Sequence, residues 1–597
     1  MRPSAGLAPI LVMLAVNLLA APAWAEIFHV GEIDGLFNIS LAYGLLARTE
    51  SRDREFIGIG NGGAAATVNV DDGDLNYDKG IVSNGVRATA ELTLKWRNFG
   101  AYVRGYGFYD FETELDDRKH SALSGDAHDL VGRGGDFQDY YLSAALDLGG
   151  VPVHVRVGNQ VLNWGESGFL RFGVDVVNPL DLIAITQPTT TGRDAFVRQG
   201  MLWAAANLTE TIAIEGFYQY DWQEVRDAPV GWFFSGDDLI GGDGTGQAFS
   251  GFGQFSDRGT DLDAHFGLTP GTLGFDRNFM KIPSRGRDKP DDQGQFGFTI
   301  QSFFQALNGA KLALHFLNYH SRLPLINGRT ANQQAIDETS DAAVNLRAAD
   351  LAVKAGISIG EAREIEEVLT IGELANETRY FASYPEDIQM LGVSFSTATP
   401  WTGTLISGEI AHHFGWPIQI PREEVLVASL SPIQFTDAFS QTSLGEFGAR
   451  KVVKGYAKGD KTQLSLGILQ LFGPLLRSAQ TLVAFDLGWV HFSDLPDGHP
   501  ADSGSWGYRL SASMLYEGVL GGLGVRPIMV WTHDFKGTGA GPAVAFVEER
   551  KSITAGLNLN YNNRWTARLS YTSFFDGKPL NLLADRDFLS FNLTFYY

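Results

Sequence analysis

Cysteine is absent from all 597 residues of this chain. Disulfides, thiolate metal sites, cysteine nucleophiles and a lipid-modified cysteine anchor are therefore excluded. Charge is scarce as well: charged residues make up 19%, against a usual ~25%. The charges present are one-sided, 69 acidic against 46 basic for a net −23. A nucleic-acid binder is disfavoured, because that role needs a basic surface to displace counterions. Beyond the first 25 residues no run of 18 or more apolar residues occurs, so no helix is expected to span a bilayer.

What is present narrows the class further. Hydrophobic residues reach 44% and aromatics 12%, while the mean hydropathy is only −0.06. That pairing excludes a disordered chain and a helical membrane bundle. Arg2, the apolar stretch Leu7 to Ala20 and the small-x-small Ala23-Trp24-Ala25 form a signal peptide, with cleavage after Ala25. The competing reading is a buried N-terminal helix. An exported chain that spans a membrane without helices must do so as a closed β-barrel, the other way to satisfy every backbone group in lipid.

Alternation supports the barrel, since successive strand side chains point to opposite faces. In 86–97, Val86, Ala88, Ala90, Leu92, Leu94 and Trp96 share one face, and Arg87, Thr89, Glu91, Thr93 and Lys95 the other. The split recurs in 138–148, 151–161, 550–561 and 564–574. It is the apolar-out, polar-in pattern that lipid outside and water inside require. The chain ends in Phe588-Leu-Ser-Phe-Asn-Leu-Thr-Phe-Tyr-Tyr597, which resembles the terminal strand presented to the barrel-assembly machinery. A soluble two-sheet protein would also alternate, but it leaves that strand and the leader unexplained.

The expected fold is an all-β membrane protein: a signal peptide (1–25), then one antiparallel transmembrane barrel (26–597). Segment counting gives about eighteen strands, sixteen at the fewest, joined alternately by short turns and long outer loops. Three regions break the rhythm. Loop 162–199 is rich in aromatics, loop 223–293 in glycine and aspartate, and 331–377 has the periodicity of a helical insert that caps the mouth or enters the lumen. Ser358 to Glu361 fits a capping box.

Asp71-Asp-Gly-Asp-Leu-Asn-Tyr-Asp-Lys-Gly80, Gly100-Ala-Tyr-Val-Arg-Gly-Tyr-Gly-Phe-Tyr-Asp-Phe-Glu112 and Arg156-Val-Gly-Asn-Gln-Val-Leu-Asn-Trp-Gly-Glu-Ser167 stand in order. Val177-Asn-Pro-Leu-Asp181, Glu215-Gly-Phe-Tyr-Gln219 and Tyr384-Pro-Glu-Asp-Ile388 follow. Together they resemble the exported proteobacterial family catalogued as Domain of Unknown Function 1302. The resemblance implies a Gram-negative outer-membrane barrel embedded in outer-membrane lipids and handling lipid-, sterol- or ester-like compounds. It would work alongside an inner-membrane efflux permease or a periplasmic carrier. It carries over no catalytic residues.

Candidate sites follow from residue type and spacing. Asp72, Asp74, Asn76 and Asp78 alternate as the oxygen ligands that begin calcium loops, although an acidic solvated turn fits the same letters. Gly58-Ile-Gly-Asn-Gly-Gly63 matches a dinucleotide fingerprint in letters alone and reads as a turn. His491 and Ser493 share a strand face and are the one hydrolase candidate, resembling an outer-membrane phospholipase pairing. A polar strand end is the competing reading. His412 and His413 point to opposite faces and make a poor metal pair. Arg87, Glu91, Arg104, Arg156, Asn163, Trp164, Glu166, Asn178, Glu215, Arg509 and Arg568 are the residues expected to line or gate the lumen. The function expected is a gated, porin-like channel for hydrophobic or amphiphilic small molecules. A general porin for polar solutes is the alternative, and an acyl hydrolase stands third.

Overall fold

The computed structural model describes residues 26–597 except 116, 243, 245 and 437–441. The expected leader, 1–25, lies outside these residues. The main sheet has nineteen strands. One is a short N-terminal strand, Glu26–Val30, and the others form the ring. In chain order these are β1 (Ile33–Arg48), β2 (Gly80–Trp96), β3 (Phe99–Asp110), β4 (Arg133–Leu148), β5 (Val151–Gln160) and β6 (Gln199–Asn207). Next come β7 (Ile212–Gln219), β8 (Gln295–Phe304), β9 (Ala310–Tyr319), β10 (Ile388–Ala398), β11 (Leu405–Gln419) and β12 (Tyr456–Phe472). The last are β13 (Gln480–Ser493), β14 (Gly504–Leu515), β15 (Leu523–Lys536), β16 (Lys551–Tyr561), β17 (Trp565–Phe575) and β18 (Phe588–Tyr596).

Every neighbour is antiparallel, and β18 closes the ring on β1 with Tyr596 opposite Ser40 and Phe588 opposite Arg48. The strand Glu26–Val30 occupies the same edge of β1 below that seam, with Glu26 opposite Phe37. This is the expected eighteen-strand barrel.

The alternation of the sequence becomes an inside and an outside. On β16 and β17, Leu557, Leu569 and Tyr571 are exposed outward, as lipid contact requires. Aromatic pairs mark both rims of that outer band. Trp96 stacks on Phe99 and Trp565 packs on Phe595 at the short-turn end, while Tyr109 meets Phe111 and Trp489 meets Trp506 near the loops. Such girdles belong at the two interfaces. The hairpin at Asn562 and Asn563 turns tightly because both adopt positive φ, 53° and 56°, the twist a two-residue turn demands. By the barrel rule, the short-turn end is periplasmic and the long loops are outside.

The long loops build a cap with its own small sheet of Gln247–Phe249, Lys281–Asp288, Leu325–Arg329, Arg379–Ser383 and Val452–Val453. The helical insert belongs to this cap. Helices α1 (Asp341–Ala355) and α2 (Ile359–Glu377) pack through Ala348, Leu351, Ala362 and Ile365 onto Phe266, Leu268 and Leu273 of the 220–294 loop. Its apolar face is thus satisfied above the mouth, which answers the alternative of a helical plug in the lumen. The capping box forms as the sequence indicates, with the Glu361 N–H donating to Ser358 Oγ at 3.2 Å.

Candidate functional site

A segment with this much apolar surface cannot remain in water, and 161–198 buries it inside the barrel. Leu162, Trp164, Leu170, Val174, Val176 and Val177 form one core with inward residues of several strands. Their partners are Met201 and Phe217 on β6 and β7, Leu317 on β9, Met390 on β10, Ala411 on β11 and Val490 on β13. The fit is close enough to need missing side chains on the wall. A Cβ on Gly392 would lie 2.8 Å from Val174, and one on Gly44, across the ring on β1, would lie 2.8 Å from Thr189. The segment therefore crosses the lumen from wall to wall.

Polar anchors fix it on every side. The Glu409 carboxylate accepts the backbone N–H groups of Glu166 at 2.7 Å, Ser167 at 3.2 Å and Val174 at 3.3 Å. Glu215 accepts from the indoles of Trp164 and Trp203, at 2.9 and 3.2 Å, and from Gln301 at 2.7 Å. Lys461 donates to the Phe172 carbonyl at 2.9 Å. Asn592 on β18 donates to the Pro188 carbonyl at 2.8 Å. The bonds to Glu409, Glu215 and Lys461, each with one ionisable partner, belong to the strong class, whereas the Asn592 bond is between neutral groups.

A second cluster holds the returning end of the segment. Asp194 takes Arg104 at 2.9 Å and Arg87 at 3.3 Å, and Glu91 joins Arg104 to Arg193 at 3.0 Å each. Arg87 lies 3.6 Å over the Tyr106 ring, and Arg156 lies 4.0 Å over Trp203. A polar cleft of about 370 Å³ remains between segment and wall, lined by Tyr102, Asp139, Tyr141, Ser143, Arg156 and Arg193.

The sequence candidates fall into place unequally. Arg87, Glu91, Arg104, Arg156 and Glu215 face the segment, and Trp164 belongs to it. Asn178 braces the segment internally, accepting from the Leu162 N–H at 3.0 Å and donating back to its carbonyl at 2.6 Å. Glu166 pairs with Lys311, and Arg509 joins Asp486 and the Gly168 carbonyl, both at 2.9 Å. Asn163 is exposed, and Arg568 is exposed on the inner parity opposite Asn558 and Asn592. Sequence reasoning missed Asp194, Arg193 and Arg198. Their only local signal was the Thr191–Asp194 spacing, which forms a capping box.

The calcium-spaced aspartates separate. Asp74 pairs with Arg48 at 2.6 Å, Asp78 engages Arg52 and Lys119, and Asn76 bridges the backbone of Ser121 and Gly231. The short turn they occupy is helical, and it sends these side chains to different neighbours. Only Asp72 joins a ligand-like group, with Asp71, His120 and Asp257, whose candidate atoms all lie within 4.8 Å of one another. His120 Nε2 sits 3.0 Å from Asp257 and 3.4 Å from Asp72. The buried Asp72 Oδ1 has no hydrogen-bond partner among the described residues. Burial holds Asp71 at about 7 and pushes Asp72 well above the usual carboxylate range. Three carboxylates and an imidazole can hold a divalent cation such as calcium.

His491 and Ser493 lie on the outer parity, where the His491 ring stacks flat on Trp489 at 5.7 Å. Among the described residues no hydrogen bond joins it to Ser493. His413 is buried against the Tyr319 hydroxyl at 2.8 Å, whereas His412 bonds Thr462 at 2.9 Å. The two histidines diverge as parity requires.

Comparison with known proteins completes the description. The family described as "Protein of unknown function (DUF1302)" matches residues 7–596. A search of curated proteins found no match. Among solved structures the chain is similar to OccAB1 of Acinetobacter baumannii, with 9% identity, 96% of this chain and 98% of that one covered, and a TM-score of 0.40. It is also similar to the outer membrane protein OpdK of Pseudomonas aeruginosa, with 9% identity, 94% and 99% coverage, and a TM-score of 0.40. A BenF-like porin from Pseudomonas fluorescens Pf-5 gives 8% identity, 94% and 98% coverage, and a TM-score of 0.40.

Proposed function

The chain belongs to the DUF1302 family, and from its occupied lumen we propose that it is a selective outer-membrane channel for small amphiphilic or hydrophobic molecules. The observation that carries this reading is the wall-to-wall course of 161–198 between Gly44 and Gly392. An open lumen sorts solutes by size and charge alone, whereas here any passage requires the segment to shift or the solute to skirt it. The polar cleft beside it sets the rings of Tyr102 and Tyr141 among Asp139, Arg156 and Arg193, so a solute with both apolar and polar parts finds a contact for each.

A second reading, a channel for polar solutes, is favoured by the Glu91–Arg104–Asp194 cluster along the inner wall. Planar-bilayer recordings separate the two. The first reading expects small, intermittent currents that amphiphiles modulate; large, steady and weakly selective currents overturn it in favour of the second.

Export through a leader cleaved after Ala25, insertion through 588–597 and exchange with an inner-membrane permease or periplasmic carrier belong to the same reading. So does a divalent cation bound by Asp71, Asp72, His120 and Asp257 as a tie between three outer loops.

A further inference from the structure

The barrel wall is uneven on one side. β4 pairs with β3 up to Arg133, which lies opposite Tyr109. On its other edge, pairing with β5 stops at Tyr140 opposite Asn159. The strands beyond are the short ones, with ten residues in β5, nine in β6 and eight in β7, against seventeen in β2. Residues 133–139 therefore have an edge that no strand of the ring covers. Backbone of this kind is tolerated at membrane depth only where it lines a cavity or lies against protein.

A cleft of about 530 Å³ fills the gap. Its rim carries Phe137 and Tyr140, 55% and 45% exposed on the lipid-facing parity. Its inner side is made by Phe196 and Arg198 of the luminal segment, with Arg226 bonded to Asp181 at 3.0 Å. The strand is shaped for this opening. A bulge shifts the register between Val103 and Gly105, so that Gln138 reaches Arg104 and Asp139 reaches Arg198; re-aiming side chains is what bulges do. At the floor of the gap Gly158 has φ +136°, and a Cβ there would lie 2.2 Å from the Tyr140 carbonyl oxygen.

The gap also communicates inward. Arg198 lines the wall cleft and Asp139 lines the luminal cleft of about 370 Å³, and the two residues meet at 3.1 Å. One ion pair thus separates the lipid-side cavity from the lumen-side cavity.

We infer that the gap is a lateral portal through which an amphiphile with an uncharged polar head, of the long-chain alcohol or sterol class, passes between outer leaflet and lumen. The inference rests on the amphiphile reading above. The aromatic rim suits an apolar tail arriving from lipid, and Gln138, Asn159 and Gln223 offer hydrogen bonds to a hydroxyl. Both guanidinium groups of the cleft already have carboxylate partners, and Asp136 adds a further acid, so an anionic head is disfavoured.

The absence of cysteine makes a clean test available. The full chain carrying Phe137→Cys is reconstituted in phosphatidylcholine vesicles with hexadecanol bearing an aliphatic diazirine, then irradiated, and adducts are mapped by mass spectrometry. Unmodified protein is expected to carry adducts on Phe196 and Val197 inside the wall. A bulky thiosulfonate label on the thiol introduced at position 137 is expected to cut them at least tenfold, and reductive removal of the label to restore them, which excludes a folding defect. The same label on Leu557→Cys, on another part of the lipid face, should leave them unchanged. Interior adducts that survive labelling at position 137 would overturn the portal while leaving the amphiphile channel standing. Complete lack of interior adducts in the unmodified protein would overturn both.

Discussion

The carboxylate of Glu409 on β11 accepts the backbone N–H of Glu166 at 2.7 Å, which makes one wall residue the clasp of the segment that fills the lumen. Two more N–H groups converge on the same carboxylate. Glu409→Ala leaves all three without that acceptor, and hydrogen bonds to a charged group are worth roughly 1.5–3 kcal/mol each. Single-channel recordings should show larger and longer openings, and thermal melting in detergent should move down. Glu409→Gln, which keeps one acceptor oxygen, should fall between. Wild-type currents in Glu409→Ala would mean that the segment is held elsewhere.

Adjacent residues on β16 should respond oppositely to the same substitution. Leu557 faces lipid and Asn558 the lumen. Leu557→Arg is expected to cost ~2–4 kcal/mol, the penalty for arginine near a bilayer midplane, and Asn558→Arg to be nearly neutral for stability. Urea unfolding from vesicles measures both, and equal costs would contradict the assigned faces.

The cap should loosen as pH rises. Burial raises Asp227 to about 6, and Asp585 is raised to about 6 by burial and the nearby Asp74. An acid whose folded value exceeds its unfolded one favours the folded state fully below the ordinary carboxylate value, ~4. That contribution is lost as pH climbs through about 6. Proteolysis of the 220–294 loop should therefore be slower at acid pH, using a protease whose own pH response is calibrated on a control substrate. Asp227→Asn should flatten part of the trend, and an unchanged slope would remove Asp227 as its source.

Calcium or manganese should stabilise the same cap by binding the folded loops in preference to unfolded ones. Titration at pH 8 should raise the melting temperature, chelation should reverse the rise, and Asp257→Asn should abolish it. A rise that persists in Asp257→Asn would place the cation elsewhere.

The barrel was legible because alternation is local: Val86 to Trp96 declares its two faces without reference to any other part of the chain. The same holds for the capping box at Ser358 and for the aromatic content that marked 162–199 as ordered. That loop is expected to line or gate the lumen through Asn163, Trp164, Glu166 and Asn178, but its anchors were not legible, since Glu409, Glu215 and Gly392 are remote in sequence and parity says only that they face inward. The cation group escaped for a related reason. Four ligand-spaced positions within 72–78 looked local, but His120 and Asp257 come from other loops, and the helical turn disperses Asp74, Asn76 and Asp78.

The two occupants of the free edge of β1, the strand Glu26–Val30 and β18, come from opposite ends of the chain. The wall is therefore an open sheet until β18 reaches β1. That pairing is the least local contact in the ring, whereas the other strands pair with near neighbours in the chain. Without β18, β1 and β17 would each keep an exposed edge, so the β1–β18 seam is the single step that turns the sheet into a sealed wall.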